Sequence, residues 1–155
     1  MTQGPVGARA TSTTTTLCQV RFLLTGKDTA GQASLLDMAV YGGACEPLHV
    51  HTREAEIVYV LEGEILVVTN GAPGTHIAGK CIYLPKGKEH SIAVRSASAR
   101  LLVLLIPAGL EGYHREMERQ PRQTQAHVAV QRLIATAARY GVEITGPPPT
   151  AEALG

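Results

Sequence analysis

Four side chains in the middle of this chain carry most of its chemical potential: His49, His51, Glu56 and His90. His49 and His51 are separated by one residue, so on an extended strand both imidazoles point to the same face. Glu56 opens the apolar run Ile57-Val58-Tyr59-Val60-Leu61, which is short and rich in β-branched residues and therefore reads as a strand. His90 follows the turn sequence Pro85-Lys86-Gly87-Lys88-Glu89 into another apolar run. Three imidazoles and a carboxylate, if brought together, suit Fe, Mn, Ni, Co, Cu or Zn far better than Ca or Mg. A set of four protein ligands on an ion that can take about six leaves positions open for reaction. An isolated His-x-His pair says little, since such pairs are common as exposed polar side chains. The glycines and proline around these four residues are what lend the pattern weight.

In the first stretch, five residues separate Gly43 from His49, four lie between His51 and Glu56, and six lead on to Gly63. In the second, five residues separate Gly79 from Pro85, one separates Pro85 from Gly87, and two lead to His90. The two stretches resemble the paired signature motifs of the cupin superfamily, over about residues 34–113. The resemblance implies an all-β chain folded as a double-stranded β-helix, the cupin jelly-roll barrel. It implies too that His49, His51, Glu56 and His90 hold one divalent transition metal inside the barrel. One position departs from the pattern: Val94 stands where the second motif usually ends in Asn. The resemblance gives that Asn a turn role, so a different local loop and an intact ligand set are expected.

The elements that must position these residues are legible as short apolar runs. Strands are expected over 20–24, 34–41, 48–51, 56–61, 64–69, 75–78, 81–84, 90–95 and 100–106, with Asn70-Gly71 as a hairpin turn. Residues 1–16, ending in four threonines, read as a flexible tail that enters an edge strand near Leu17, and 17–119 as the barrel domain. A short helix is expected over 110–119, with Leu110, Tyr113 and Met117 at helical spacing. From Gln123 to Tyr140 the residues Ala126, Val130, Leu133, Ile134 and Ala137 form an apolar helical stripe, with Gly141 as its C-cap. That stripe is expected to pack outside the barrel or against a second subunit. Residues 120–145 are assigned to this helical extension and 146–155, beginning Gly146-Pro147-Pro148-Pro149, to a second tail. No internal repeat is present.

Composition narrows the function. A chain of 155 residues is one domain of ordinary size, and a formal charge of +1 offers no electrostatic reason to bind nucleic acid or an anionic membrane. No helix–turn–helix is visible. No apolar stretch reaches the roughly 18 residues of a membrane span, and the first ten residues do not read as a secretory signal. Three cysteines, with no Cys-x-x-Cys, favour a reducing cytoplasm. Cys45 and Cys81 are expected as small buried hydrophobes. With one Phe and no Trp, the barrel interior must be aliphatic, lined by residues such as Val58, Val60, Ile92 and Leu104. Such a wall suits a small apolar or aromatic substrate.

Tyr41 and Tyr83 are the candidates for a hydroxyl near the metal. Arg53 and Glu54 read as rim charges, His114 as a solvated helix residue, and His76 and His127 receive no role. The leading expectation is a metal-dependent oxygenase resembling quercetin dioxygenases, in which Glu56 both binds the metal and accepts a substrate proton. The alternatives are a non-redox isomerase, cyclase or lyase, and a barrel that only binds a small ligand. Small chains of this resemblance pair into dimers, so a two-fold homodimer is the expected assembly.

Overall fold

The computed structural model describes residues 7–15, 17–121 and 125–150. Eleven strands are described: β1 (Thr11–Thr14), β2 (Cys18–Leu24), β3 (Ser34–Tyr41), β4 (Leu48–His51), β5 (Ala55–Glu62), β6 (Glu64–Thr69), β7 (Ala72–Ile77), β8 (Cys81–Leu84), β9 (Glu89–Val94), β10 (Ser98–Ile106) and β11 (Val142–Gly146). Two helices, α1 (Glu111–Glu118) and α2 (Ala126–Arg139), precede β11. The strands form a six-stranded sheet, β1-β2-β3-β10-β5-β8, and a five-stranded sheet, β11-β4-β9-β6-β7, with every pairing among the described residues antiparallel. This is the all-β, two-sheet jelly roll with C-terminal helices that the motifs imply. The largest fully buried apolar side chains, Phe22, Leu36, Ile65, Leu84, Leu105, Val58 and Val60, fill the space between the sheets.

Two turns show why glycine sits where it does. Asn70 and Gly71, at φ 48° and 77°, form the two-residue hairpin between β6 and β7, where Thr69 pairs with Ala72. Gly63 lies at φ +84°, and a Cβ placed there would come within 2.3 Å of the Ser98 carbonyl oxygen. The chain reverses between β5 and β6 directly against the start of β10, and only a residue without a side chain fits.

Three expectations about the elements need correction. Residues 142–146 form a strand rather than part of a helical extension and tail: Val142 pairs with His51 and Ile144 with His49. The alternation Val142-Glu143-Ile144-Thr145 is a strand signal that the adjacent prolines obscured, and the strand covers what would be an exposed edge of β4. Thr11–Thr14 likewise pair with β2 instead of remaining a loose tail. Leu104 faces outward, whereas Leu101, Val103 and Leu105 are buried. Parity cannot be read from Leu101-Leu102-Val103-Leu104-Leu105, because every residue in that run is apolar.

The helices close one end of the barrel. Glu111 ties α1 to the strands by accepting backbone hydrogen bonds from Gly26 N at 2.7 Å and Gly109 N at 2.6 Å. Gly112 leaves room for the Tyr140 ring, which a Cβ would meet at 2.5 Å, and the Tyr140 hydroxyl donates to Glu116 Oε2 at 3.1 Å. α2 buries Thr136 and Ala137 but leaves Val130 and Ile134 of its expected stripe exposed.

Candidate metal centre

The strand register brings the three histidines to one place. His49 and His51 share the inner face of β4, and His90 on β9 is the direct cross-strand partner of His49. Glu56 reaches the same place from β5 in the opposite sheet. The loop between His51 and Glu56 is anchored at Thr52, whose N and Oγ1 both donate to the Gly141 carbonyl, at 2.8 and 2.7 Å. Gly87 N donates to the His51 carbonyl at 2.8 Å, which ties the second motif to the first.

Two of the three imidazoles have one nitrogen engaged by a backbone carbonyl. His49 Nδ1 stands 2.8 Å from the Pro47 carbonyl oxygen and His90 Nδ1 3.1 Å from that of Lys88. A carbonyl only accepts, so these Nδ1 atoms carry the hydrogen and Nε2 keeps its lone pair. Behind His51 stands Glu54, whose Oε2 is 3.6 Å from Nδ1. The Nε2 atoms converge: those of His49 and His51 are 3.2 Å apart, and Glu56 Oε2 lies 3.5 Å from His51 Nε2 and 3.4 Å from His90 Nε2. All four residues are buried.

These separations fit a bound cation. Two donors each about 2.1 Å from one ion and roughly 100° apart stand about 3.2 Å from one another. Without a proton or a metal between them, lone pairs at such distances repel. His90 Nε2 is buried with no hydrogen-bond partner, a costly arrangement unless something binds there. The ligand atoms of His49, His51 and His90 all lie within 4.8 Å of each other, which makes this a candidate metal-binding cluster.

Electrostatics agree. Burial, reinforced by His90, lowers His49 to about 4, so it is neutral and ready to ligate at neutral pH. Burial opposes charge on both Glu56 and His90. Their mutual contact outweighs it, holding the Glu56 carboxyl below and the His90 imidazole above their ordinary ranges. An incoming cation competes with protons for these same atoms, so metal binding at this site depends on pH.

An aliphatic cavity of about 290 Å³ leads from this cluster toward α1, lined among others by Val20, Met38, Val40, Ile92, Val94 and Leu101, with Glu56 at its wall. A smaller space of about 80 Å³ touches His49, His51 and Glu56 directly. Glu46, Tyr113 and His114 line both. Val94, where the motif usually has Asn, is buried and contributes to the wall. The expected interior residues Val58, Val60 and Ile92 are buried as well.

Several polar residues fall elsewhere than expected. Tyr41 and Tyr83 are exposed, the latter at 62%. Cys81 is exposed and Cys45 partly exposed, so neither is a fully buried hydrophobe. Glu54, expected at the rim, is 2% exposed. His114 faces the cavity rather than solvent, and its surroundings lower it to about 4, burial being the main cause. It follows Tyr113 on α1, where Leu110, Tyr113 and Met117 face the barrel; a neighbouring inward position was the available signal. Glu46 gives no sequence signal, because it lies in the irregular link between the Gly42-Gly43 turn and β4. It is accessible, because it faces the open cavity, yet the barrel wall surrounds it. Those surroundings, and then Glu56, raise its carboxyl to about 7. Accessibility through the cavity moderates that shift but leaves its direction.

The barrel and its inward His cluster define a cupin fold. Residues 36–107 match the family model described as a Cupin domain. An RmlC-like cupin from Shewanella frigidimarina superposes with a TM-score of 0.60 at 19% identity, covering 72% of this chain and 99% of that one. Ectoine synthase from P. lautus gives 0.58 at 23% identity over 90% of this chain and 84% of its own, so the shared fold extends well beyond residues 36–107. A protein described as a predicted oxalate decarboxylase from Thermotoga maritima gives 0.55 at 27% identity, covering 58% of this chain and 80% of that one. No curated protein sequence matches the chain. Together these matches support the cupin superfamily for this barrel. Among the described residues, no helix is long and apolar enough to cross a membrane.

Proposed function

We propose that the protein is a metal-dependent oxygenase, resembling quercetin dioxygenases, that acts on a small and largely apolar or aromatic substrate. The observation behind this reading is the convergence of His49, His51, Glu56 and His90 beside an aliphatic cavity of about 290 Å³. A redox-capable divalent ion held by these four residues would supply activation of O2 and substrate at its open positions. Pro47 and Lys88 carbonyls orient two of the imidazoles, and Glu54 stands behind the third. Glu56, ionised at neutral pH, accepts the proton of an acidic substrate hydroxyl. The aliphatic walls hold an apolar ring by contact. Elemental analysis of protein purified without a metal-affinity step, followed by O2 uptake with a flavonol and catechol panel, tests the proposal. A bound redox metal and substrate-dependent uptake support it; a full complement of Zn with no uptake refutes the oxidative step.

A second reading, a Lewis-acid isomerase, cyclase or lyase, draws on a separate observation. Glu46 faces the same cavity with its carboxyl raised toward neutrality, as a proton-transfer partner for Glu56 would require. Product formation by the Zn form under anaerobic conditions favours it. The homodimer belongs to the proposal too, and light scattering at twice the 16.4 kDa of one chain tests it.

A further inference from the structure

The cavity beside the histidines has an unusual charge inventory. Among the described residues lining its two lobes there are two carboxylates, Glu46 and Glu56, and no lysine or arginine. A divalent ion contributes two positive charges and Glu56 removes one; an ionised Glu46 removes the other. Glu46 is also held in place by its backbone. Its carbonyl accepts from Ser91 Oγ at 2.7 Å, and its N–H donates to Ile92 O at 3.0 Å. Beside it in both lobes stand Tyr113 and His114, whose rings meet edge-on with centroids 5.3 Å apart. A neutral tyrosine offers a hydroxyl hydrogen and a neutral imidazole offers one donor and one acceptor. Apart from His49, His51 and Glu56, everything else lining the two lobes is aliphatic, sulfur-bearing or a threonine or proline.

We propose that Glu46, Tyr113 and His114 form a second polar pole of this cavity, which selects an uncharged hydroxylated ligand and rejects carboxylates and phosphates. The proposal rests on the metal reading above and deepens it by assigning the substrate's charge class. Above about pH 7, where Glu46 is ionised, a ligand hydroxyl placed at this pole donates to its carboxylate while the far end of the ligand meets the His cluster. A ligand carboxylate at the same place would face Glu46 with no cation between them, in a low-polarity enclosure where an unpaired anion is costly. Glu46 is therefore a specificity-determining residue, and its effect appears in binding before any turnover.

The test uses two probes with the same metal-chelating catechol head: neutral 4-methylcatechol and anionic 3,4-dihydroxybenzoate. Affinities are measured calorimetrically at about pH 8.5, above the Glu46 titration, on full-length protein loaded with Co2+, with the visible Co2+ spectrum reporting engagement of the ion. The wild type should prefer the neutral probe by at least about tenfold. Glu46→Gln should bring the two within roughly threefold, chiefly because the anion gains affinity. Its Co2+ stoichiometry and far-UV circular dichroism should match the wild type. Equal wild-type affinities, an unchanged ratio in E46Q, or failure of both probes to bind overturns the proposal. Failure of the metal reading shows separately, as no Co2+ uptake; the same probe pair on metal-free wild type then still decides whether the pole rejects the carboxylate. Failure of the oxidative reading shows as normal probe selectivity without O2 consumption.

Discussion

Glu54 offers the sharpest test of how the site is built. It is 2% exposed, and its Oε2 stands 3.6 Å from His51 Nδ1, an ion-pair contact between two atoms that have no hydrogen-bond partner. Full charges at that distance would attract by about 4–5 kcal/mol at an effective dielectric of roughly 20. A metal-bound imidazole carries only part of a charge, so the realised coupling is smaller. Loss of such a partner behind a ligand typically costs about 10–100-fold in metal affinity, or about 1.4–2.7 kcal/mol. Glu54→Ala should therefore weaken Zn2+ or Co2+ binding within that range, measured at pH 7 by competition with a chromophoric chelator. Glu54→Gln keeps an acceptor oxygen and should recover most of the loss. Thermal unfolding of the metal-free variants separates ligand orientation from general destabilisation. Affinity of E54A within twofold of wild type, with the fold intact, would refute the role given to Glu54.

Three further outcomes follow from the same geometry. Glu56→Gln keeps the shape and an oxygen donor but removes the charge and basicity. Metal occupancy should fall only partly, while turnover on whichever substrate the oxygen-uptake panel identifies should fall by about 10²–10⁴; unchanged turnover at full occupancy would remove the base role. Gly63→Ala combines a φ of +84° with a Cβ 2.3 Å from the Ser98 carbonyl, and urea unfolding should show a loss above about 2 kcal/mol. The third concerns acid. His114 is lowered to about 4, so between its ordinary 6.5 and that value the unfolded chain binds a proton that the folded protein does not. Metal-free protein should thus lose stability as pH falls from about 6.5 toward 4, by at most about 1.4 kcal/mol per pH unit from this group. His49 acts in the same direction and His90, raised, in the opposite one. A His114→Gln variant should show a flatter fall between pH 7 and 5, and equal slopes would contradict the inward placement.

The strands around the site were readable with small boundary errors, because each is a short β-branched run closed by a glycine, proline or asparagine turn. Thus Leu48–His51 and Glu64–Thr69 stand where their residues indicate, and Asn70-Gly71 makes the expected hairpin. A period of two put His49 and His51 on one face, and the resemblance to the cupin motifs implied that His90 joins them, as the cluster shows.

What local pattern could not supply is any relation between segments far apart in the chain. Val142–Gly146 becomes the neighbour of β4 only because α1 and α2 return the chain to that edge. Glu54 and Glu46 are ordinary loop carboxylates in sequence. Glu54 becomes buried, and Glu46 comes to line the cavity, because the two sheets close beside them. Tyr83 and His114 exchanged their expected places for a related reason. A strand residue's face follows from its neighbours only when they alternate in polarity, and a helix residue's face follows from what the helix packs against. The sequence by itself determined most of the elements, the turns and the face that His49 and His51 share, all of which depend on residues within one strand or one turn. The cavity, its second polar pole and the support behind His51 were decided by tertiary structure, because burial and electrostatic environment are properties of distant segments brought together.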